Sequence, residues 1–359
     1  MRLEFLRHFE DEGLGLNGAA CLHGARDMRL ASTPVREGRL DDALIDVAAV
    51  GICGSDLHYY KDGGIGAAPI RDPFVPGHEF GCYLCEDLSE LGLSTGTLVA
   101  VDPNRSCGVC EWRRDGHGNL SPDVRFIGAP PFDGAMTQRL WVPKSQIVVL
   151  PESFGALEAA MLEPLGVAIH TVDLAKPKLR EPVALLGAGP IGLLVLQTLK
   201  VAGAVDVLVI DPLERRRAAA MKLGASDVFV SADQYLSGVG KSGQPLVVEA
   251  TNSPTGFSDA VLMARIGGRV ILAGIPHGDH YSLTASEARR RALKIKFVRR
   301  MGDDYPRAIE LVRTGRVDVV SMVSHWISLE ETPATFAALS EARAGYHKAM
   351  IYPSGLRDR

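Results

Sequence analysis

Val183-Ala184-Leu185-Leu186-Gly187-Ala188-Gly189-Pro190-Ile191-Gly192 joins an unbroken apolar run to a glycine turn. Such a run is expected of a strand buried on both faces, as in a parallel sheet. Ile191 to Val201 reads as a helix, and Val207-Leu208-Val209-Ile210 as the next strand. Apolar runs at Leu246–Glu249, Arg269–Leu272 and Leu293–Phe297 continue the alternation, which makes a doubly wound parallel sheet. Within the turn, Gly187 permits a tight bend, Gly189 lets backbone approach a pyrophosphate, and Gly192 allows close helix–sheet packing. Exposed N–H groups at the helix start, beside Pro190 and Ile191, then receive the phosphates. Asp211 ends the next strand and can accept hydrogen bonds from adenosine ribose hydroxyls. Its charge would repel the extra phosphate of NADP, so the turn predicts NAD. Two other readings compete: Arg215 or Arg216 embracing a 2′-phosphate, and a glycine-rich turn that binds nothing.

The chain ahead of this unit has a different texture. From Ala19 to about 150, short alternating apolar runs are broken by Gly, Pro and Asp, which suggests a β-barrel-like unit with long loops. Residues 1–17 read as a leader. After about 300 two helical segments and a closing Lys348-Ala349-Met350-Ile351 are expected to pack back on the first domain. The expected division is therefore 1–165, 166–298 and 299–359: catalytic domain, dinucleotide domain, and a return to the first.

Two short segments of the first domain carry a mixed set of donors. Gly51-Ile52-Cys53-Gly54-Ser55-Asp56-Leu57-His58 offers a thiolate, and Pro76-Gly77-His78-Glu79 an imidazole and a carboxylate. That mixture suits a catalytic zinc, which also needs an open position for substrate oxygen. Cys53 and His78 are the first candidates. Glu79 reads either as third ligand or as a partner behind the ligands. Glu163, at the domain junction, either holds a water or enters the coordination shell. Ser55 and His58 lie near Cys53 on one segment, so Ser55 is expected to contact the alcohol oxygen or bound water and His58 to form the solvent end of a proton relay. Taken singly, a cysteine or a histidine is more often an inert core residue. The combination beside a dinucleotide unit points to hydride transfer between an alcohol and a nicotinamide.

Bulk properties narrow the alternatives. The 359 residues are 46% apolar with 38 glycines, as in a turn-rich α/β protein of two domains. A net charge of −4 gives no electrostatic footprint for nucleic acid. The runs Arg215-Arg216-Arg217 and Arg289-Arg290-Arg291 read as solvated helix faces. No apolar stretch is long enough to span a membrane, and six cysteines without a disulfide pattern suggest a reducing cytoplasm.

With these residues in place, the chain from about residue 19 onward resembles the zinc-dependent medium-chain alcohol dehydrogenases. The matching runs are Gly51 to Tyr60, Pro76 to Phe80, Asp123 to Phe126, Pro130 to Gly134 and Glu163 to His170. Within that family it is most similar to sorbitol, xylitol and L-idonate dehydrogenases. The resemblance implies a GroES-like β-barrel catalytic domain interrupted by a Rossmann domain, with a homo-tetramer or dimer common. It implies zinc on Cys53, His78 and Glu79, with Glu163 holding water or joining the ligands. Tyr59 matches a substrate-contacting position, and Arg300 an arginine that reaches substrate hydroxyls. Asp211, Arg216, Arg299 and the turn Ala273-Gly274-Ile275 match positions around NAD.

One departure from the family concerns a second, structural zinc on four cysteines. Cys107 and Cys110 fill the first two places, whereas Arg113 and Ser121 stand at the other two. Two thiolates do not close a tetrahedral site, so one zinc per subunit is expected. Cys82 and Cys85 are poor replacements, because i and i+3 on a strand face opposite ways. The expected substrate is a sugar alcohol oxidised to a ketose, with L-idonate or another sugar acid as the alternative. A catalytically silent NAD-binding protein is the reading from a different class.

Overall fold

The computed structural model describes residues 17–33, 35, 38–66, 68–239, 242–341 and 347–355. The leader therefore lies outside the described residues, apart from Asn17, which already begins the strand Asn17–Gly24.

A mostly antiparallel sheet forms the first unit. Its order is Ile147–Val149, Leu98–Val101, Glu79–Leu84, Asp42–Gly51, Lys348–Tyr352 and Val323–Ser328, with Arg139–Pro143 also paired to Asp42–Gly51. The ribbon of Asn17–Gly24 and Asp27–Thr33 is bridged to it through Ala19 with Thr137 and Leu22 with Phe74, which curls the unit towards a barrel. The chain's last two strands add to this sheet, where Lys348–Tyr352 pairs with Asp42–Gly51. Val323–Ser328 pairs in parallel with Lys348–Tyr352 and has no counterpart in the sequence reading.

The second unit is a six-stranded sheet with every neighbouring pair parallel. Its order is Asp227–Phe229, Val207–Ile210, Val183–Leu186, Gln244–Glu249, Ala264–Leu272 and Lys294–Phe297. Strand order reverses beside Val183–Leu186, and ligands of such sheets bind at that crevice. All four residues of Val183–Leu186 are buried, as their uninterrupted apolar character demands.

One helix, Ala156–Ala175, joins the units and is buried along much of its length. Gly81 lets it lie directly on the strand Glu79–Leu84, since a side chain there would collide with Ala159. One apolar core consequently runs from Ala49 and Ala100 through Ala160 and Leu165 to Leu185 and Val248. Among the described residues no helix is long and apolar enough to cross a membrane.

The arginine runs are not simply solvated faces. Arg217 donates to the carbonyls of Asp211 (2.8 Å) and Pro212 (2.9 Å). Arg291 donates to those of Leu262 (3.1 Å) and Ala264 (2.7 Å). Arg217 satisfies carbonyls just past a strand and Arg291 those where a helix end meets the next strand, a role that charge patterning does not reveal.

Candidate active site

Cys53 follows the strand Asp42–Gly51 and caps the helix Gly54–Asp62 in an extended conformation (φ −94°, ψ 158°). Asp56, in the first turn of that helix, accepts a hydrogen bond from Cys53 N–H through Oδ2 at 2.9 Å. On the other segment, Gly77 takes φ 102° and turns the chain into His78, and Glu79 opens the strand Glu79–Leu84. One ligand atom each from Cys53, His78 and Glu79 falls within 4.8 Å of the other two. The two segments that sequence set 25 positions apart thus converge on one point.

The donor set fits zinc: a thiolate, an imidazole and a carboxylate around one position. A second observation supports the fit. Asp56 is fully buried, its Oδ1 has no hydrogen-bond partner, and that atom lies 3.6 Å from His78 Nδ1. A carboxylate behind one ring nitrogen fixes a metal-ligating histidine and leaves the other nitrogen to the metal. The surroundings also favour a cation. Burial opposes a charged imidazole, yet the Asp56 carboxylate and the Cys53 thiolate hold His78 well above the usual histidine range. A dication would gain from the same field.

Behind Glu79 stands Lys348, from the chain's final strand, and both are buried. The Lys348 ammonium is held charged against burial chiefly by Glu79. Gly51 makes room for the pair, because a side chain there would strike both partners. Asp56 and Lys348 were both missed as functional residues. Asp56 lay inside the quoted motif without a role, and Lys348 inside a strand whose other residues are apolar.

Glu163, beside Pro164 in the helix Ala156–Ala175, is 5% exposed. Burial pushes its carboxyl up to about 7 against the pull of His78, and the Glu79 charge adds to the rise. Tyr59 is buried edge-on to Phe74 (5.5 Å between centroids), and Ser55 is half-buried in the first turn of its helix. Arg300 has a left-handed backbone (φ 58°), a conformation that costs a non-glycine residue on the order of 1 kcal/mol. Asn119 braces this turn by donating to the Arg299 carbonyl at 2.9 Å, while the Arg299 side chain is exposed. The Arg300 guanidinium lies 4.2 Å over the Phe126 ring, and its buried Nη1 has no hydrogen-bond partner. Burial and the neighbouring Arg299 bring it down to about 10.

In the second unit, Gly187 adopts φ 94°, and Gly189 caps the helix Pro190–Val201 with Pro190 in the first turn. A side chain at Gly192 would overlap the Gly187 carbonyl, so only glycine allows this approach. Asp211 is buried and accepts from Ala188 N–H and Leu213 N–H, both at 2.9 Å. Arg216 Nη1 lies 3.5 Å from Asp211 Oδ2. The turn Ala273-Gly274-Ile275 leaves the strand Ala264–Leu272, and Ala273 and Gly274 N–H both donate to the Glu249 carbonyl. Across the cleft, His58 Nε2 lies 3.2 Å from the Ile275 carbonyl oxygen. His58 therefore meets the cofactor-side turn, and its Nδ1 faces Asp62 Oδ2 at 3.2 Å.

At the cysteine lobe, Ser121 Oγ is 3.4 Å from Cys107 Sγ and 3.5 Å from Cys110 Sγ. Arg113 is turned towards Asp303, at 3.3 Å.

Comparison with known proteins agrees with this geometry. The model of the alcohol dehydrogenase GroES-like domain matches residues 39–152, and that of the zinc-binding dehydrogenases matches 190–314. Sorbitol dehydrogenase of Bacillus subtilis is 32% identical over 346 residues, covering 94% of this chain and 97% of its own. A probable D-xylulose reductase A of Aspergillus clavatus is 30% identical over 351 residues, covering 94% and 96%. Among solved structures, an Escherichia coli oxidoreductase of unknown specificity superposes with a TM-score of 0.86 at 29% identity, covering 94% of this chain and 99% of its own.

Proposed function

This chain belongs to the zinc-binding alcohol dehydrogenase family, and we propose that it oxidises a secondary hydroxyl of a sugar alcohol with NAD, giving a ketose. The observation that carries the substrate class is the buried Arg300 Nη1, held over the Phe126 ring without a hydrogen-bond partner. Such a donor is costly unless a ligand satisfies it, and a polyol brings hydroxyls beyond the reacting carbon. The likeness to a sorbitol dehydrogenase and a D-xylulose reductase supports the same class.

Zinc held by Cys53, His78 and a carboxylate of Glu79 or Glu163 would supply the Lewis acidity that makes a substrate hydroxyl easier to deprotonate. The chain's own residues do the rest. Tyr59 and Arg300 orient the polyol, with Phe126 fixing the guanidinium by stacking beneath it. Ser55 would contact the alcohol oxygen or bound water, and His58 would stand at the solvent end of the proton's path, where its Nδ1 faces Asp62, whose side chain is 46% exposed. Where Glu79 is the third ligand, Glu163 would be free to hold a proton near the cluster, since burial pushes its carboxyl up to about 7. Gly187, Gly189 and Gly192 bring the helix start to the pyrophosphate, and Asp211 accepts from the adenosine ribose. The exposed ring of Phe297 on the last strand of the parallel sheet is consistent with a homo-oligomer.

Two variants of the reading have specific support. The Arg300 charge would also pair a sugar-acid carboxylate such as L-idonate. Arg216, half-exposed beside Gly189 and Asp211, would serve a 2′-phosphate and hence NADP.

The test is a turnover screen with NAD and with NADP over sorbitol, xylitol, L-iditol, galactitol, L-idonate and ethanol, with zinc per chain measured on the same sample. Polyol-dependent formation of NADH is expected. Preference for ethanol over every polyol in zinc-loaded protein would overturn the substrate class, and silence on all substrates would favour a non-catalytic NAD binder.

A further inference from the structure

We infer that His58, Asp62 and His277 form a second site for a divalent transition-metal ion, at the mouth of the cleft between the two units. His58 and Asp62 stand four positions apart on the helix Gly54–Asp62, so their side chains share one face. His277 comes from the other unit, directly after the turn Ala273-Gly274-Ile275-Pro276. One ligand atom from each of the three lies within 4.8 Å of the other two. Asp62 Oδ2 is 3.2 Å from His58 Nδ1 and 3.9 Å from His277 Nδ1, and the two rings stand 5.0 Å apart between centroids, tilted by 59°.

Two imidazoles and a carboxylate make a site of the type that binds zinc, cobalt or nickel, with further positions left for water. Access is open. A cavity of about 380 Å³ adjoins the cluster and is lined by His58, Asp62, Ile65, Ile275 and Pro276. The His277 side chain is 35% exposed. Its Nε2 is occupied from the other edge of the ring, by Asn252 Nδ2 at 3.3 Å and Lys61 Nζ at 3.4 Å. Metal on Nδ1 puts the ring proton on Nε2, so the Asn252 amide must turn to present its oxygen and Lys61 must swing outward. Burial, Lys61 and His58 all hold His277 below the usual histidine range, which keeps the ring neutral and able to ligate.

A metal bound here ties the helix that carries Ser55 to the turn that carries Ile275. It also takes His58 Nδ1, the atom through which the proton leaves in the proposed reaction. Metal beyond the catalytic equivalent is therefore inhibitory. The site itself rests on the three side chains alone; only this inhibition rests on the proposed function.

The test is calorimetric titration of Co2+ and of Zn2+ into protein already carrying its first equivalent of zinc, with the Co2+ visible spectrum followed in parallel. A further equivalent per chain is expected, with a spectrum of mixed nitrogen and oxygen ligation. His277→Ala should abolish it, and Asp62→Asn should weaken it at least about tenfold, each with its first zinc and melting temperature retained. Absence of a further equivalent, or one that survives His277→Ala, overturns the site. The count needs no turnover, so it separates failure of this site from failure of the polyol reading.

Discussion

Lys348 Nζ is buried between the Glu79 carboxylate and the carbonyl oxygen of Ile52, donating to the latter at 3.0 Å. The chain's last strand is thereby fastened to both segments of the candidate metal cluster: Ile52 precedes Cys53, and Glu79 follows His78. Removing the ammonium leaves a carboxylate buried without a counter-charge, a defect that costs about 3–5 kcal/mol. Lys348→Met should lower the unfolding free energy of the metal-free protein by about that amount in denaturant titration. The double variant Glu79→Gln with Lys348→Met should recover most of the loss. Equal instability of the single and double variants would show that the lysine acts through packing, not charge.

Lys348 also shows where sequence reading stops. The strand Val183–Leu186 and its glycine turn were legible because burial on both faces demands an unbroken apolar run and the turn demands glycine. Cys53 and His78 were legible because thiolate and imidazole bracketed by glycine are unusual together. A lysine at the head of a strand gives no such signal: its partner is 269 positions away, and only the folded sheet brings them together. The strand Val323–Ser328 was missed for a related reason. Its residues, Val-Ser-His-Trp-Ile-Ser, alternate poorly and are only partly buried at the sheet's edge. His277 was invisible because it follows the cofactor turn as an ordinary loop residue, and His58 and Asp62 reach it only from the other unit.

Asp56 offers a cleaner probe of the metal cluster than the ligands do. Asp56→Asn keeps a side-chain oxygen for Cys53 N–H but removes the charge behind His78 Nδ1. Partners of this kind contribute about 10–100-fold to metal affinity. Competition with a chelator should show zinc bound more weakly by a factor in that range, with the melting temperature of metal-free protein little changed. Unaltered affinity would remove Asp56 from the support of His78.

At the dinucleotide site, Asp211 has two jobs that one substitution can separate. Its Oδ2 braces the glycine turn through Ala188 N–H, and in the proposed NAD site its charge would oppose a 2′-phosphate. Asp211→Asn removes the charge and keeps one of the two acceptors, with its amide oxygen towards Ala188 N–H and the bond from Leu213 N–H lost, and it leaves Arg216 without its counter-ion. The ratio of kcat/KM for NADP to that for NAD should rise about tenfold, equivalent to about 1.4 kcal/mol. A ratio that does not move would place the discrimination elsewhere on the turn.

The cysteine lobe allows a test by addition. Ser121 Oγ already faces both sulfurs, and hydrogen bonds from Cys110 and Ser121 bring the Cys107 thiol down to about 7, halfway to the thiolate that zinc requires. Arg113 stands at the remaining position of the sequence pattern, and its contact with Asp303 is between exposed groups, worth about 1 kcal/mol at most. Arg113→Cys with Ser121→Cys should therefore raise the zinc content by about one per chain over the parent and raise the melting temperature with the logarithm of free zinc. Cys107→Ser in that background should return the count to the parent value. If the quadruple-cysteine lobe takes up no metal, the backbone between Cys107 and Ser121 holds the sulfurs too far from tetrahedral closure, and the departure from the four-cysteine pattern extends beyond the two missing ligands.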